Sequence, residues 1–233
     1  MRSDVRPSAA DTNLKGAKAH AAMPIERKSS AVTSPEPPTF VDEVVADDRF
    51  VDAEMDGWTF TNCKFVSSDL SGLITHHATF IGCDFTGARM NGQEHHGSAF
   101  LNCHFRGAHL FSTHFHACKM TGSLLEEATL DAVRIHGGDW SLVRLRFQDL
   151  SGFNLRGVRL CEADLYDANL TRADLRDCDL SHAILQQANL DRTDLRGAIL
   201  DGVDLRTLTF RNTRIDIEHA AQLATMLGAR VGN

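Results

Sequence analysis

Proline is missing from residues 39–233; the five present, Pro7, Pro24, Pro35, Pro37 and Pro38, all precede Thr39. Whatever corners that long stretch contains are not built on proline-fixed dihedrals. No run of eighteen apolar residues occurs, which excludes a transmembrane helix. The first residues lack the apolar core of a secretory leader, so the default expectation is a cytoplasmic protein. The six cysteines include no Cys-x-x-Cys. Gly-x-Ser-x-Gly, the Walker A loop and His-Glu-x-x-His are absent too. With these gone, the sequence points to a binding protein rather than an enzyme, and no cofactor or metal is expected.

What the sequence does have is leucine at every fifth residue from Leu145 to Leu205, thirteen times without a slip. Five residues turn an α-helix through about 140°, so these leucines would spiral round it and form no face. On a flat strand an odd period alternates sides. Turning the chain at each unit keeps every fifth side chain inside, which predicts a solenoid of short extended segments around a leucine core. The register extends from Phe50 to Ile215, 34 units, of which 32 carry Phe, Leu, Met, Ile or Trp at the centre. The exceptions are Thr75 and His95. The residue two before a centre is usually small, as at Ala78, Ala108, Ala163 and Ala198. Large and small then point inward together, and the residue between them points out. Thirteen of the seventeen glycines sit two residues after a centre, where a tight turn is needed.

A longer spacing of twenty is visible in Cys63, Cys83 and Cys103, and in His76, His96, His116 and His136. Arg156, Arg176 and Arg196 continue the histidine column. Four units per coil, a square cross-section, follow. At about 4.8 Å per coil the rod would be roughly 40 Å long. The histidine column could offer zinc or nickel two ligands at a time rather than four, so a polar outer ladder is the expected role. His95, at a core centre, is expected to be hydrogen-bonded beside Thr75. Five cysteines, Cys63, Cys83, Cys103, Cys118 and Cys178, occupy the small inward position and read as core residues.

Residues 1–45 read as a disordered tail, 46–215 as the solenoid and 216–233 as a C-terminal element. Asp216 fits an N-cap and Gly228 a C-cap of a short helix. Ile217, Ala220, Leu223, Ala224 and Leu227 give that helix an apolar face that could cap the rod or join two copies.

The unit Ala-(Asp/Asn)-Leu-x-x, seen in Ala163-Asp164-Leu165 and Ala188-Asn189-Leu190, resembles the signature of the pentapeptide-repeat family over residues 46–215. The resemblance implies an all-β fold, a right-handed quadrilateral β-helix, here with a short C-terminal α-helix and a disordered N-terminal tail. Asn91–Phe105, Leu110–Leu125 and Arg214–Gly228 further resemble the fluoroquinolone-resistance members of that family, the loopless mycobacterial type more than the Qnr type. That likeness implies a homodimer joined through the C-terminal helix. It implies an acidic rod that imitates B-form DNA, binds DNA gyrase and protects it from fluoroquinolones, with inhibition of supercoiling. Neither direct nucleic-acid binding nor membrane association is implied. The outward acids that would serve are Asp69, Asp84, Glu94, Glu126, Glu127, Asp131, Asp139, Asp149, Asp164, Asp174, Asp179, Asp194 and Asp204. The charge does not fall evenly: residues 41–145 hold 7 Lys/Arg against 14 Asp/Glu, residues 146–215 hold 10 against 11. A near-neutral second half fits a pentapeptide-repeat scaffold for a different protein partner, which is the alternative.

Overall fold

A computed structural model of the chain describes residues 37–45 and 48–232. The chain winds into a parallel β-solenoid with four faces. Every pairing joins residues twenty apart, from Thr39↔Thr59 at the start to Asp194↔Arg214 at the end. On the first face β1 (Thr39–Val41), β3 (Thr59–Thr61), β5 (Thr79–Ile81) and β7 (Ala99–Leu101) stack in that order. On the fourth face β2 (Glu54–Asp56), β4 (Ile74–His76), β6 (Glu94–His96), β8 (His114–His116) and β9 (Arg134–His136) do the same. Elsewhere single bridges hold the coils together.

The ladder is simple at the level of one unit. Asp84 N–H donates to the Cys63 carbonyl one coil below at 2.9 Å, and Phe85 N–H to the His104 carbonyl one coil above at 2.7 Å. Two residues past each centre the backbone turns left-handed. Twenty non-glycine residues and thirteen glycines adopt positive φ at that place in the unit, from Asp42 to Asn212. Most corners close with a bond such as Ala88 N–H to Phe85 carbonyl, 2.9 Å. At two wider corners a serine one coil above takes the spare N–H: Ala78 donates to Ser98 Oγ at 3.2 Å, Cys103 to Ser123 Oγ at 3.0 Å.

Side chains at the centres fill the bore. Phe40, Phe60, Phe80 and Phe100 form one stack with ring centres 4.8–5.0 Å apart. Phe65, Phe85 and Phe105 form a second, and the two meet edge-on. Above them Trp140 stands edge-on to Phe115 at 5.4 Å, and leucines fill the remaining coils. Each fully buried leucine contributes about 1.5–3 kcal/mol.

The N-terminal end departs from the expected boundary. The first coil starts at Thr39, because Phe40 and Val45 are buried centres in register, so the solenoid reaches into the segment assigned to the tail. Residues 1–36 of that segment lie outside the described residues. At the other end Leu205 is the last buried centre. A 3-10 turn at Leu205–Thr207 replaces the left-handed corner, and Phe210 and Ile215 are only half-buried.

Helix α1 (Ile217–Met226) follows. Asp216 precedes it but makes no capping bond to it. Its carboxylate instead accepts from Gly197 N–H at 2.6 Å and lies 2.9 Å from His219 Nδ1. His219 is buried, and its Nε2 donates to the Ala198 carbonyl at 2.9 Å. A polar hook thus helps fasten α1 to the rod.

Gly138 is the one inward position where the backbone itself demands glycine. Its φ is 101°, and an added Cβ would lie 2.1 Å from the Cys118 carbonyl oxygen. At Gly157, φ 69°, nothing lies within 4 Å. Gly157→Ala is expected to cost about 1–2 kcal/mol for the left-handed conformation, and Gly138→Ala clearly more, measured as the shift in urea-unfolding midpoint. Equal shifts would refute the steric assignment.

Candidate functional site

The acidic residues singled out from the sequence do not form one stripe. The register spreads them over all four faces: Asp139 and Asp179 on the first, Asp84, Asp164 and Asp204 on the second, Asp69 and Asp149 on the third, and Glu94, Asp174 and Asp194 on the fourth, while Glu126 and Asp131 stand in turns. Glu127 stands on a corner.

Most of them also have local work. In nine, Asp69, Asp84, Asp139, Asp149, Asp164, Asp174, Asp179, Asp194 and Asp204, Oδ1 accepts the backbone N–H two residues on, at 2.9–3.2 Å. Asn154, Asn169 and Asn189 make the same bond, which explains why Asp and Asn interchange in the unit. Bonds to Ser71 and Ser181 hold the carboxyls of Asp69 and Asp179 below the usual carboxylate range. Those from Arg176 and Arg206 do the same for Asp174 and Asp204, and Arg196 brings Asp194 down to about 2.

Eight of the thirteen acids lie in ion-pair reach of arginine: Asp69–Arg89, Glu126–Arg144, Glu127–Arg106, Asp164–Arg146, Asp174–Arg176, Asp179–Arg159, Asp194–Arg196 and Asp204–Arg206. Such exposed pairs add little stability, but they cancel the field an acidic stripe would need. The acid concentration lies elsewhere. Asp42, Glu43, Asp48, Asp52, Glu54 and Asp56 are all exposed on the first coils. No residue of this rim was picked out from the sequence: Asp42, Glu43 and Asp48 precede the register, and Asp52, Glu54 and Asp56 lie in its first units.

The far end carries the second candidate surface. Ile217 is 86% exposed and Leu227 70%. Ala220 is exposed as well, while Leu223 and Ala224 are half-buried. All five lie along one side of α1 by their spacing, and packing on the rod leaves that side largely uncovered.

The histidine ladder exists as a stack. His76, His96, His116 and His136 place their rings 4.7–5.0 Å apart and within 14° of parallel. Partial burial, then the charges of His96, His136 and His114, lower the His116 pKa. Among the described residues no group of three or more His, Cys, Asp or Glu is placed to hold a metal ion. Nor is any helix among them long and apolar enough to cross a membrane.

His95 sits in the bore with 0% exposure inside a connected polar network. Gln93 Nε2 donates to the Leu70 carbonyl at 2.7 Å, which turns its Oε1 toward His95 Nε2, 2.8 Å away. The ring therefore carries its proton on Nε2, and Nδ1 accepts from Thr75 Oγ1 at 2.7 Å. Thr75 in turn lies 2.8 Å from Ser98 Oγ. The two exceptions in the repeat, Thr75 and His95, are thus partners, as their twenty-residue spacing suggested. The inward cysteines follow a related rule: Cys83, Cys103, Cys118 and Cys178 point their thiols at the carbonyl of the centre one coil below. All six cysteines are free.

Residues 53–92, 141–177 and 173–212 match the family model for pentapeptide repeats, in eight copies. No curated protein matches the chain. Two trypsin-treated variants of QnrB1, a plasmid-mediated fluoroquinolone resistance protein, share the fold. One superposes with a TM-score of 0.76 at 22% identity, covering 84% of this chain and 99% of that one. The other has a TM-score of 0.71 at the same identity and coverage. At this identity the likeness is one of fold.

Burial, and secondarily the charge of His96, lowers the His95 pKa to about 3. In the unfolded chain the same ring takes up a proton near pH 6.5. Its contribution is complete above pH 6.5 and is lost as pH falls toward 3, on the order of 5 kcal/mol in all. The apolar variant Thr75→Val/Gln93→Leu/His95→Phe should lose less stability than wild type between pH 6.5 and 4 in urea titrations. Parallel curves would show that His95 does not govern this window.

Proposed function

Because the chain belongs to the pentapeptide-repeat family, we propose that it is a binding rod rather than an enzyme: a homodimer, joined end to end through α1, that occupies the DNA-binding saddle of DNA gyrase and so protects the enzyme from fluoroquinolones. The observation that carries this reading is the uncovered apolar side of α1 at one end of an uninterrupted rod. Exposed apolar residues aligned on one helix are costly in water and are covered when a second copy docks on them. The fold is shared with QnrB1, a fluoroquinolone resistance protein, which is in keeping with the protective part of this reading.

Two rods of roughly 40 Å would span about 80 Å, some 24 base pairs of B-form DNA. In such a dimer the acidic rims around Asp52, Glu54 and Asp56 stand at the two outer ends, where they meet the basic walls of a saddle built to hold phosphates. The central part of the dimer is close to neutral, so the mimicry rests on rod shape and terminal charge, not on a continuous acidic stripe. The competing reading, a scaffold for a different protein, is favoured by the same neutrality, with eight acids paired to arginine.

In gyrase assays the wild-type protein should lower supercoiling and quinolone-stabilised DNA cleavage. Ile217→Asp/Leu227→Asp changes two exposed positions and should sediment as a folded monomer. Loss of two-point attachment should weaken its action by about tenfold or more. A variant that remains dimeric would reduce α1 to a cap. Wild-type protein without effect in either assay would leave the scaffold reading in its place.

A further inference from the structure

On the fourth face, near the C-terminal end, an open groove of about 600 Å³ is lined by Arg172, Arg176, Arg192, Arg196 and Arg214, with Asp174, Asp194 and Asn212. Five guanidiniums against two carboxylates give this groove a charge of +3, in a chain whose net charge is −7. We propose that it binds a short oligophosphate, as in the phosphate chain of a nucleoside di- or triphosphate. The inference is independent of the gyrase reading.

The groove is ordered by the repeat. Asp174 and Asp194 stack across one coil. Each grips the arginine two residues on: Arg176 donates from Nε at 2.8 Å and from Nη2 at 2.6 Å, Arg196 at 2.9 and 2.7 Å. A guanidinium has five N–H donors in a rigid plane. Held along one edge by a carboxylate, it still presents the Nη1 edge, already oriented, to a second anion. The two aspartates therefore position these arginines without using them up.

Arg172 and Arg192 supply the uncompensated charge. Both occupy left-handed corner positions, each at φ 59°, stacked one coil apart. Arg172 has no carboxylate in ion-pair reach among the described residues, and Arg192 reaches Asp191 only at 3.7 Å. Arg214 stands 3.7 Å from an Asp194 already engaged by Arg196. Several positive charges are thus repeated at the coil spacing of about 4.8 Å. Planar forks at such a spacing suit phosphoryl oxygens. The length matters as well: residues 172–214 cover about three coils, or roughly 10–14 Å. That length holds two or three phosphates but not an extended nucleic-acid strand.

Calorimetry of the full-length protein with inorganic tripolyphosphate at low salt tests this. Binding is expected with Kd below about 100 µM. Arg172→Asn/Arg192→Asn keeps residues that tolerate the left-handed corner and should bind at least about tenfold more weakly, with an unchanged melting temperature. Arg144→Asn/Arg159→Asn removes the same charge elsewhere and should leave binding intact. No heat from the wild type, or equal weakening in both variants, overturns the proposal. A single-stranded oligonucleotide that binds more tightly than tripolyphosphate does so too, assigning the groove to a nucleic-acid backbone.

Discussion

Everything in this molecule hangs on the left-handed residue two places past each centre. It turns the chain after every unit, so that four units close a coil and the next coil starts in register twenty residues on. Without it the parallel ladder has nothing to pair with, and the leucine and phenylalanine centres lose their common interior. Thirteen of these corners are glycine, where left-handed backbone is readily accessible. Twenty others are not, and even Leu142 and Phe147 are held there, at φ 60° and 62°. Corner strain of this kind persists only because pairing above and below over-determines it.

That constraint explains why the fold was largely legible and much of the surface was not. A period of five is a property of the sequence itself, so the leucine column, the inward small residues, the histidine stack and the Thr75–His95 partnership could all be read before any coordinates. The aspartates could not be judged in the same way. Their outward direction follows from the register, but their acceptance of the backbone N–H two residues on is local geometry, invisible in a one-letter pattern. Residues such as Asp164 and Asp174 therefore looked like surface charge when they are also parts of the turn. Arginine pairing depends on rotamers and on neighbours twenty or so residues away, so the cancellation of charge was visible only as a sum. The first coil was missed because Phe40 and Val45 stand beside a proline-rich segment that hides the register. At the other end, helix α1 was legible from its helix-forming residues, yet its anchor, His219, carried no sequence signal. It is recognisable only by its contacts with Asp216 and Ala198.

The result is a stiff body with distinct ends and a patterned side. An acidic rim crowns the first coils, a stack of imidazoles runs along the fourth face, an arginine groove follows on that face, and an uncovered helix closes the rod. A loopless solenoid cannot shape itself to a partner, so binding depends on presenting fixed groups at multiples of one coil. Such pre-organisation lowers the ordering cost of association. It also means that the proposed gyrase complex rests on length and end-to-end joining more than on total acidity.

Competition for the DNA saddle is the central functional claim, and displacement measures it most directly. Gyrase loaded with a fluorescent duplex should release it as the protein is added, with one homodimer replacing one duplex. Salt should weaken the two ligands in parallel. A stable ternary complex of gyrase, duplex and protein, with fluorescence anisotropy unchanged, would contradict the account.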